Sequence, residues 1–280
     1  MSCSSSSSRL SMDSVHVMDC LEGMRKLPDH SVDIIVCDPP YNVGKDFGNK
    51  SDKQKEKDYI EWCYAWLSEC FRVMKKSGLC YVFGFSETLA LIYARVAHEP
   101  TLTWKMRWLV WHYTNRVKPT LKFWQRTHES ILCFYHPKSV DFNRDLVREP
   151  YSKEFLNYYV GRPRQNLPGR FNSQGIDTEY TAHPNGALPR DVIKVSALTG
   201  AYGKRERVDH PAQKPIEICE KLIKSGLPVD EATWSDTVVL VPFAGSGTEC
   251  VAAKKLGCKF IGFEINPEYK TLCDERLESV

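Results

Sequence analysis

The segment Asp38-Pro39-Pro40-Tyr41 combines a carboxylate, a rigid backbone and an aromatic ring within four positions. Each proline fixes its own φ angle and keeps the residue before it extended, so the turn has few conformations. It can therefore direct the Asp38 carboxylate, a proline carbonyl and the Tyr41 ring into one pocket. The two oxygens match the two N–H donors of an exocyclic amine on a nucleobase, on which the ring would stack. The alternative is a rigid strand-to-helix turn with an incidental tyrosine.

A glycine-rich segment near the other end of the chain forms a second candidate site. Phe243-Ala244-Gly245-Ser246-Gly247-Thr248 follows the apolar run Val238–Val241 and precedes a helix-like stretch. Its glycines allow a tight turn and a close approach of the backbone to a ligand. No Gly-Lys-Ser/Thr follows, which excludes a P-loop. An ordinary glycine-rich turn is the alternative.

A carboxylate ends the next apolar run. Glu264 lies where an acidic residue can bind both hydroxyls of a ribose. It could instead cap the helix expected from Pro267, although Asn266 is better suited to that role. A glycine-rich turn followed by an acidic strand end is typical of a site for an adenosine-containing cofactor.

Strand-like and helix-like segments alternate around these residues. Strands are expected at 15–17, 32–37, 79–83, 131–135, 238–241 and 260–263, and helices at 59–74, 87–97, 215–225, 249–256 and 267–277. This alternation predicts an α/β fold, a Rossmann-like, doubly wound and mostly parallel sheet. Ligands of such sheets bind at the carboxyl ends of the strands, where Asp38 and Phe243 are expected.

The composition is that of a globular protein. The 280 residues are 42% hydrophobic and 26% charged with a net charge of +3, which excludes wholesale disorder. No apolar run approaches the roughly 18 residues of a transmembrane helix, so no membrane partner is expected. Seven serines among the first eleven residues predict a disordered tail over 1–12, with no signal peptide.

The eleven cysteines include no CxxC pair. They indicate reduced thiols in a cytosol-like compartment, and no metal site of the usual spacing is expected. In a bacterium the protein is expected in the cytoplasm, associated with the nucleoid. In a eukaryote it is expected in the nucleus.

Positive charge is concentrated in the middle of the chain. Residues 101–205 contain 17 Lys and Arg against 8 Asp and Glu, a charge of +9, whereas the rest carries −6. This asymmetry favours a polyanion partner such as nucleic acid. Over 115–205 the strand–helix alternation also breaks, which predicts a loop-rich insertion supported by the sheet and not folded independently.

Basic and aromatic residues are interleaved in this middle region. Residues 104–126 hold six Lys and Arg, six aromatics and no acidic residue. The aromatics can stack on bases or enter the gap left by a flipped base, although at least half of the tryptophans are expected in the core. His128 and Glu129 are expected to make structural hydrogen bonds. The candidate DNA-binding residues are Arg116, Lys118, Lys122 and Arg126, with Arg162, Arg164 and Arg170 as candidates for sequence readout.

Taken in order, these motifs resemble the S-adenosylmethionine-dependent amino-methyltransferases of DNA in the permuted, β-type arrangement. In that family the DPPY motif comes first, a target-recognition region follows, and the FxGxG cofactor motif lies near the C-terminus. His210-Pro-Ala-Gln-Lys214-Pro215 is similar to the HPxxKP stretch of the family, and Met18-Asp19-Cys20 to the acidic strand end near the adenine ring of the cofactor. The resemblance covers nearly the whole chain after the tail.

The resemblance implies a division of roles along the chain. It implies a catalytic half over 13–114, a target-recognition insertion over 115–205 and a cofactor-binding half of the same domain over 206–280. It further implies S-adenosylmethionine as cofactor, double-stranded DNA as partner, a possible homodimer and a flipped adenine as target, with methylation of its N6. The residues implied in catalysis are Asp38, Pro39, Pro40 and Tyr41. Those implied in cofactor binding are Asp19, Cys20, Asp38, His210, Lys214, Phe243 to Thr248, Glu264 and Asn266.

One position departs from the family pattern. An aspartate usually precedes the Pro-Phe of the cofactor motif, but this chain has Val241. Either another group supplies the carboxylate or the affinity for cofactor is lower. N4-cytosine methylation and a catalytically idle DNA-binding protein remain alternatives, and RNA or protein amide methylation fits the basic insertion less well. Because cytosine members more often have serine at position 38, Asp38 favours adenine. The recognition sequence, and a role as restriction partner or solitary enzyme, stay open.

Overall fold

The computed structural model describes residues 10–45, 47, 52–99, 103–113, 115, 122–160, 163–165, 177–179, 181–203 and 205–280. Two compact units divide the chain: Met1–Phe142 with Asp191–Val280, and Asn143–Arg190. In the described part of the chain, no helix is both long and apolar enough to span a membrane. Residues 1–9 of the predicted tail lie outside the described residues.

Ten strands occur in the described part of the chain. They are β1 (Ser14–Val17), β2 (Val32–Cys37), β3 (Met74–Gly84), β4 (Lys105–His112), β5 (His128–Tyr135), β6 (Pro163–Gln165), β7 (Asp177–Glu179), β8 (Val192–Lys194), β9 (Val238–Val241) and β10 (Lys259–Glu264).

Eight helices accompany these strands in the same described residues. They are α1 (Cys20–Met24), α2 (Glu56–Val73), α3 (Ser86–Ala97), α4 (Lys153–Tyr159), α5 (Gly200–Gly203), α6 (Ile216–Lys224), α7 (Thr248–Lys255) and α8 (Pro267–Glu278).

The first unit is built on an eight-stranded sheet, counted over the described residues, with the order β1-β10-β9-β2-β3-β5-β4-β8. Neighbours are parallel except where β5 runs antiparallel to both β3 and β4. The predicted α/β class with a mostly parallel sheet is confirmed. The first and last parts of the chain meet at the centre of the sheet, because β2 pairs with β9.

The helices follow the apolar pattern of the sequence. In α2 the buried residues Tyr59, Cys63, Trp66, Cys70 and Val73 recur every three or four positions, as on one face of a helix. This helix begins before the predicted Tyr59, because Glu56 and Asp58 in its first turn favour the positive end of the helix dipole. The helix α6 begins at Ile216, one residue after the predicted start, and Pro215 is its N-cap.

The predicted insertion over 115–205 is wider than the second compact unit. The strands β5 and β8 lie within those boundaries, yet both belong to the main sheet. Only Asn143–Arg190 separates as a unit, which contains α4 and the antiparallel pair β6–β7. The backbone N–H and C=O groups of β5 form their hydrogen bonds with β3 and β4, so this apolar segment is part of the main sheet.

The ten cysteines that the structure describes are buried free thiols. Three of them, Cys37, Cys70 and Cys80, place their sulfur atoms within 4.8 Å of one another, a grouping that sequence spacing does not reveal. They come from β2, α2 and β3 and pack in the hydrophobic core, where thiols act as small apolar groups. The expectation that the chain needs no metal stays a prediction.

Candidate active site

The carboxyl ends of the central strands bring the two predicted motifs together. In the register of the sheet Ile35 pairs with Leu240, and Asp38 and Phe243 each lie three residues beyond this pair. Gly262 pairs with Val241, which places Glu264 at the same level. The three strand ends therefore form one edge, as expected for ligand sites of α/β sheets.

Asp38 lies in a buried cluster of charged and polar side chains. The ammonium nitrogen of Lys214 is 2.8 Å from the Asp38 carboxylate and 3.4 Å from Oε2 of Glu129. The hydroxyl oxygen of Tyr41 is 2.8 Å from Oδ1 of Asp38 and 3.0 Å from the same Glu129 oxygen. Lys214 and Tyr41 thus lie between two carboxylates, and their N–H and O–H groups reduce the repulsion between the two negative charges.

The protonation of this cluster follows from its burial and its charges. Burial lowers the pKa of Lys214, but the carboxylates of Asp38 and Glu129 outweigh this effect and raise it above its usual value. Burial, together with the same two carboxylates, raises the pKa of Tyr41. Lys214 is therefore a cation at neutral pH, and Tyr41 keeps the proton that it shares between the carboxylates.

The structure revises the expected role of Tyr41. The sequence predicts a ring that stacks on a base, with no part for the hydroxyl. In the structure the ring packs edge-on against Phe85, with centroids 5.0 Å apart, and the hydroxyl bonds the two carboxylates. The hydroxyl therefore organises the site, and the stacking role stays a prediction.

The prolines of the motif are fixed by a neighbouring helix. The hydroxyl of Tyr59, on α2, donates a hydrogen bond of 2.6 Å to the carbonyl of Pro40. Beyond the motif, the buried carboxylate of Asp52 accepts hydrogen bonds from the backbone N–H groups of Asn42, Val43 and Lys45. Because Asp52 belongs to the same loop, these bonds close the loop after Tyr41 on itself.

The glycine-rich turn is built for close approach. Gly245 and Gly247 have φ angles of +49° and +76°, which side-chain-bearing residues rarely adopt. A Cβ on Gly245 would lie 3.0 Å from Nε2 of His210, and one on Gly247 would lie 2.1 Å from Sγ of Cys273. Arg276 donates hydrogen bonds to the carbonyl of Ser246 and to the Thr248 hydroxyl, so α8 supports the turn.

Glu264 connects the glycine-rich turn to the start of α8. Its two carboxylate oxygens accept backbone N–H bonds from Gly245, at 2.7 Å, and from Asn266, at 2.8 Å. Burial raises its pKa, which these hydrogen bonds oppose. A carboxylate has about four lone-pair sites, so Glu264 can also accept a hydrogen bond from a ligand hydroxyl. The Asn266 side chain caps α8 and donates to the Phe47 carbonyl, so its predicted contact with the cofactor competes with two structural roles.

Two other predicted cofactor residues have structural roles of their own. The carboxylate of Asp19 caps α1 by accepting from the N–H groups of Leu21 and Glu22. The pKa of His210 is lowered to about 4, chiefly by burial and then by Lys214, Lys45 and Arg276, so its ring is neutral. The ring stands edge-on to Tyr269, with centroids 4.6 Å apart, beside Gly245.

One cleft of about 730 Å³ joins the Asp38 cluster to the glycine-rich turn. Its lining includes Asp19, Cys20, Gly245 and Glu264 together with Asp38, Tyr41 and Lys214. This size suits a small-molecule cofactor together with a reacting group. The cradle of positive-φ glycines and the strand-end carboxylate fit an adenosine-containing cofactor.

A family model described as DNA methylase (N6_N4_Mtase) matches residues 32–275. The chain belongs to this amino-methyltransferase family. This match spans the DPPY motif, the HPxxKP stretch and the glycine-rich turn in the order that the sequence predicts. The protein is therefore a DNA methyltransferase.

Curated relatives of this methyltransferase extend over most of its length. The type II methyltransferase M.HpaI of Haemophilus parainfluenzae is 32% identical over 262 residues, covering 93% of this chain and 73% of the relative. The DNA adenine methyltransferase YhdJ of Escherichia coli is 32% identical over 266 residues, covering 93% and 81%.

Solved structures share the fold. The PvuII DNA methyltransferase, described as cytosine-N4-specific, matches with a TM-score of 0.66 at 16% identity, over 95% of this chain and 86% of that one. The DNA modification methylase TTHA0409 of Thermus thermophilus, solved in complex with S-adenosyl-L-methionine, matches with a TM-score of 0.59 at 21% identity, over 95% and 93%.

Sequence reasoning does not place two carboxylates in the methyltransferase site: Glu129, for which it predicts only structural hydrogen bonds, and Glu249. Glu129 reaches Tyr41 and Lys214 because β5 is antiparallel, which puts its amino end beside the carboxyl ends of the other strands. Glu249, 3% exposed in the first turn of α7, also lines the cleft. Its pKa is raised to about 7 by burial and by Asp38. Glu249 thus provides a carboxylate in the cleft of a chain that has Val241 where the family usually has an aspartate.

The predicted DNA-binding residues are only partly described. Arg116, Lys118, Arg162 and Arg170 lie outside the described residues, and Arg164 is described only in its backbone, within β6. Lys122 is exposed. Arg126 lines the cleft, where it forms an ion pair with Glu87 at 2.6 Å and lies 4.3 Å above the Phe85 ring. A DNA-binding role for all seven stays a prediction.

Proposed function

We propose that this methyltransferase transfers a methyl group from S-adenosylmethionine to the exocyclic N6 amine of an adenine that has left the DNA duplex. The observation that carries the proposal is the position of Asp38, whose carboxylate is held by Lys214 and Tyr41 at the strand edge that also bears the glycine-rich turn. An amine acceptor and a cofactor cradle thus open into one cleft.

The cofactor of the family is S-adenosylmethionine, and the cleft has features that suit it. The backbone of Gly245 lines the cleft and allows close approach, while Gly247 lets the turn pack against Cys273 of α8. Glu264 provides an acceptor for ribose hydroxyls. When bound, S-adenosylmethionine supplies an electrophilic methyl group on a positively charged sulfur that leaves as a neutral thioether.

The residues of the chain act on the amine. The lone pair of N6 is delocalised into the adenine ring, which makes this nitrogen a poor nucleophile. Asp38 accepts one N–H and the carbonyl of Pro39 accepts the other, since the carbonyl of Pro40 already accepts from Tyr59. These bonds favour a tetrahedral nitrogen whose lone pair faces the methyl group. Asp38 is also placed to accept the proton that N6 loses after the new N–C bond forms.

The choice of adenine rests on the carboxylate at position 38. The resemblance of the sequence to the family associates serine at this position with cytosine members, and Asp38 with adenine members. One of the relatives, YhdJ, is named an adenine methyltransferase, in keeping with this assignment. The N4 amine of cytosine offers the same two N–H donors, so the reaction itself does not distinguish the bases.

The product identifies the target directly. The protein is incubated with methyl-labelled S-adenosylmethionine and duplex DNA of mixed sequence, and the modified nucleosides are identified by mass spectrometry. N6-methyladenine is expected. N4-methylcytosine would overturn the adenine assignment and leave the reaction class standing, whereas unmodified DNA would overturn the proposed reaction.

A pair of variants assigns the reaction to Asp38. Asp38→Ala is expected to lower turnover by about 10²- to 10⁴-fold, while the affinity for S-adenosylmethionine in calorimetric titration persists. Asp236→Ala removes an exposed carboxylate at the opposite edge of the sheet and should leave turnover unchanged. Retention of more than a few per cent of turnover by the Asp38 variant would contradict the assignment.

A further inference from the structure

Two neighbouring aromatic side chains of the methyltransferase stand in solvent. Phe123 is 80% exposed and Trp124 is 87% exposed, in the segment between β4 and β5. Large aromatic side chains normally bury most of their surface, and exposure of two adjacent ones indicates a surface with a binding role.

The other tryptophans of this segment are accounted for by the fold. Trp111 is buried, and its indole N–H donates to the carbonyl of Val195. Trp104 stacks on Phe71, with ring centroids 5.9 Å apart. Trp108 packs against the hydrophobic core. Of the four tryptophans of the segment, Trp111 is buried, Trp104 and Trp108 are partly buried against the core, and Trp124 is exposed.

The exposed pair adjoins the catalytic cleft. Gln125 and Arg126, the next residues along the chain, both line it. The Arg126 guanidinium lies over the Phe85 ring, and that ring packs against Tyr41 of the DPPY motif. Phe123 and Trp124 are therefore at the mouth of the cleft that contains Asp38.

The sequence around the pair indicates the kind of partner. The segment 115–126 has four Lys and Arg and no acidic residue. One of these, Arg126, is ion-paired with Glu87, whereas Lys105 and Arg107 lie at the end of β4 away from the cleft. A basic segment attracts the phosphates of a nucleic acid, and aromatic rings stack on its bases. An apolar protein partner would need no such excess of positive charge.

We infer that Phe123 and Trp124 enter the base stack of duplex DNA and fill the gap that the target base leaves when it moves into the cleft. The inference rests on the proposed function, which requires the target base to leave the duplex. An unpaired gap loses the stacking energy of two base steps, and an inserted aromatic ring replaces part of it. The pair therefore raises the fraction of DNA in which the base is available to Asp38.

The decisive comparison uses DNA in which the base is already free to leave. After sequencing of methylated DNA has identified the recognition sequence, two duplexes are prepared. One has the normal base pair, and the other has an abasic site opposite the target. The variant Phe123→Ala/Trp124→Ala should lose about tenfold or more in kcat/KM on the paired duplex. On the abasic duplex it should come within about threefold of the wild type, because little stacking or pairing has to be broken there.

Two controls separate this role from a folding defect. Val229→Ala removes an apolar side chain that is 89% exposed in the segment before β9, at the opposite edge of the sheet. This variant should have the wild-type kcat/KM on both the paired and the abasic duplex. The affinity of the double variant for S-adenosylmethionine, measured by calorimetry, should equal that of the wild type. Equal losses on the paired and abasic duplexes, or no loss on the paired duplex, would overturn the inference.

Tryptophan emission tests the insertion without methylation. Stacking on bases quenches an indole, so binding of duplex DNA should quench the wild type, and the component due to Trp124 should be missing from Trp124→Phe. Quenching of Trp124 without methylation of any DNA would support the insertion and overturn the proposed function. Methylation without this quenching would overturn the insertion alone.

Discussion

Lys214 and Asp38 lie 176 positions apart in the chain, and their side chains form an ion pair of 2.8 Å. Lys214 is 5% exposed, and Glu129 is a second carboxylate 3.4 Å away. One cation therefore serves two acidic groups in a place with little water. Because burial strengthens charge interactions and also removes hydration, the pair is sensitive to the loss of either partner.

Replacing Lys214 by methionine is expected to lower stability and turnover together. Two carboxylates would be left buried without their cation, and the loss of one partner of a buried pair costs about 3–5 kcal/mol. Urea unfolding measures the loss, and Glu129→Gln in the same protein should restore part of it by removing one of the negative charges. If the two substitutions have additive effects on the free energy of unfolding, Lys214 and Glu129 are not coupled.

Tyr41→Phe is expected to lower turnover by about 10- to 100-fold with little change in cofactor affinity. The ring stays, but Asp38 and Glu129 lose the hydroxyl that lies between them. Tyr64→Phe is the matched control, since it removes a hydroxyl that donates to Glu99 away from the cleft. Steady-state kinetics of both variants compare the two hydroxyls. Wild-type turnover in Tyr41→Phe would mean that only the ring of Tyr41 matters.

Glu249 should make stability fall as the pH rises. Burial, then Asp38, raises its pKa in the folded protein to about 7, whereas an unfolded chain has a glutamate pKa of about 4.3. Between these values the folded protein holds a proton that the unfolded chain has released, so each increase in pH favours unfolding. The charged and titratable groups that act on Glu249 are Asp38, Lys214, Arg276 and Cys219, and all four are still present in Glu249→Gln.

Urea unfolding between pH 5 and pH 8 measures this effect. The stability of Glu249→Gln relative to the wild type should increase by about 1 kcal/mol or more across that range, because the amide cannot ionise. A difference that stays constant with pH would show that Glu249 ionises as readily in the folded protein as in the unfolded chain.

Gly245→Ala should weaken S-adenosylmethionine binding by about tenfold or more. The new Cβ would meet the His210 ring at 3.0 Å and distort the turn that approaches the cofactor. Gly257→Ala is the control, because Gly257 has a φ of +72° with nothing within 4 Å of the added carbon. It should lower stability by about 1–3 kcal/mol and leave the affinity intact. Calorimetric titration with S-adenosylmethionine measures the affinity of both variants. A loss in Gly245→Ala alone is due to the added carbon in the turn, whereas a similar loss in both would be due to backbone strain.

The order of elements and two motifs could be predicted from the sequence. The apolar run of β2 and the helix α3 are found within one residue of the predicted bounds, because their hydrophobic periodicity is strong. The turn at Asp38 and the glycine-rich turn were both placed at strand ends, as observed. Local sequence determines these features.

The position of Glu129 could not be predicted in this way. Whether the first or the last residues of a strand reach the catalytic edge depends on the direction of that strand in the sheet, and β5 runs opposite to its neighbours. The resemblance implies a cofactor-binding role for Lys214, but its contacts with Asp38 and Glu129 could be seen only in the folded structure. Long-range pairing decides both contacts.

The pairing of β2 with β9 has a consequence for synthesis of the protein. A nascent chain on the ribosome acquires Asp38 about 200 residues before the glycine-rich turn and the strand that pairs with β2, and Lys214 also follows long after Asp38. The edge strand β1 likewise has to wait for β10. An incomplete translation product therefore has the acidic residue without its cation or its cofactor cradle. The cleft can be complete only after translation has passed β10.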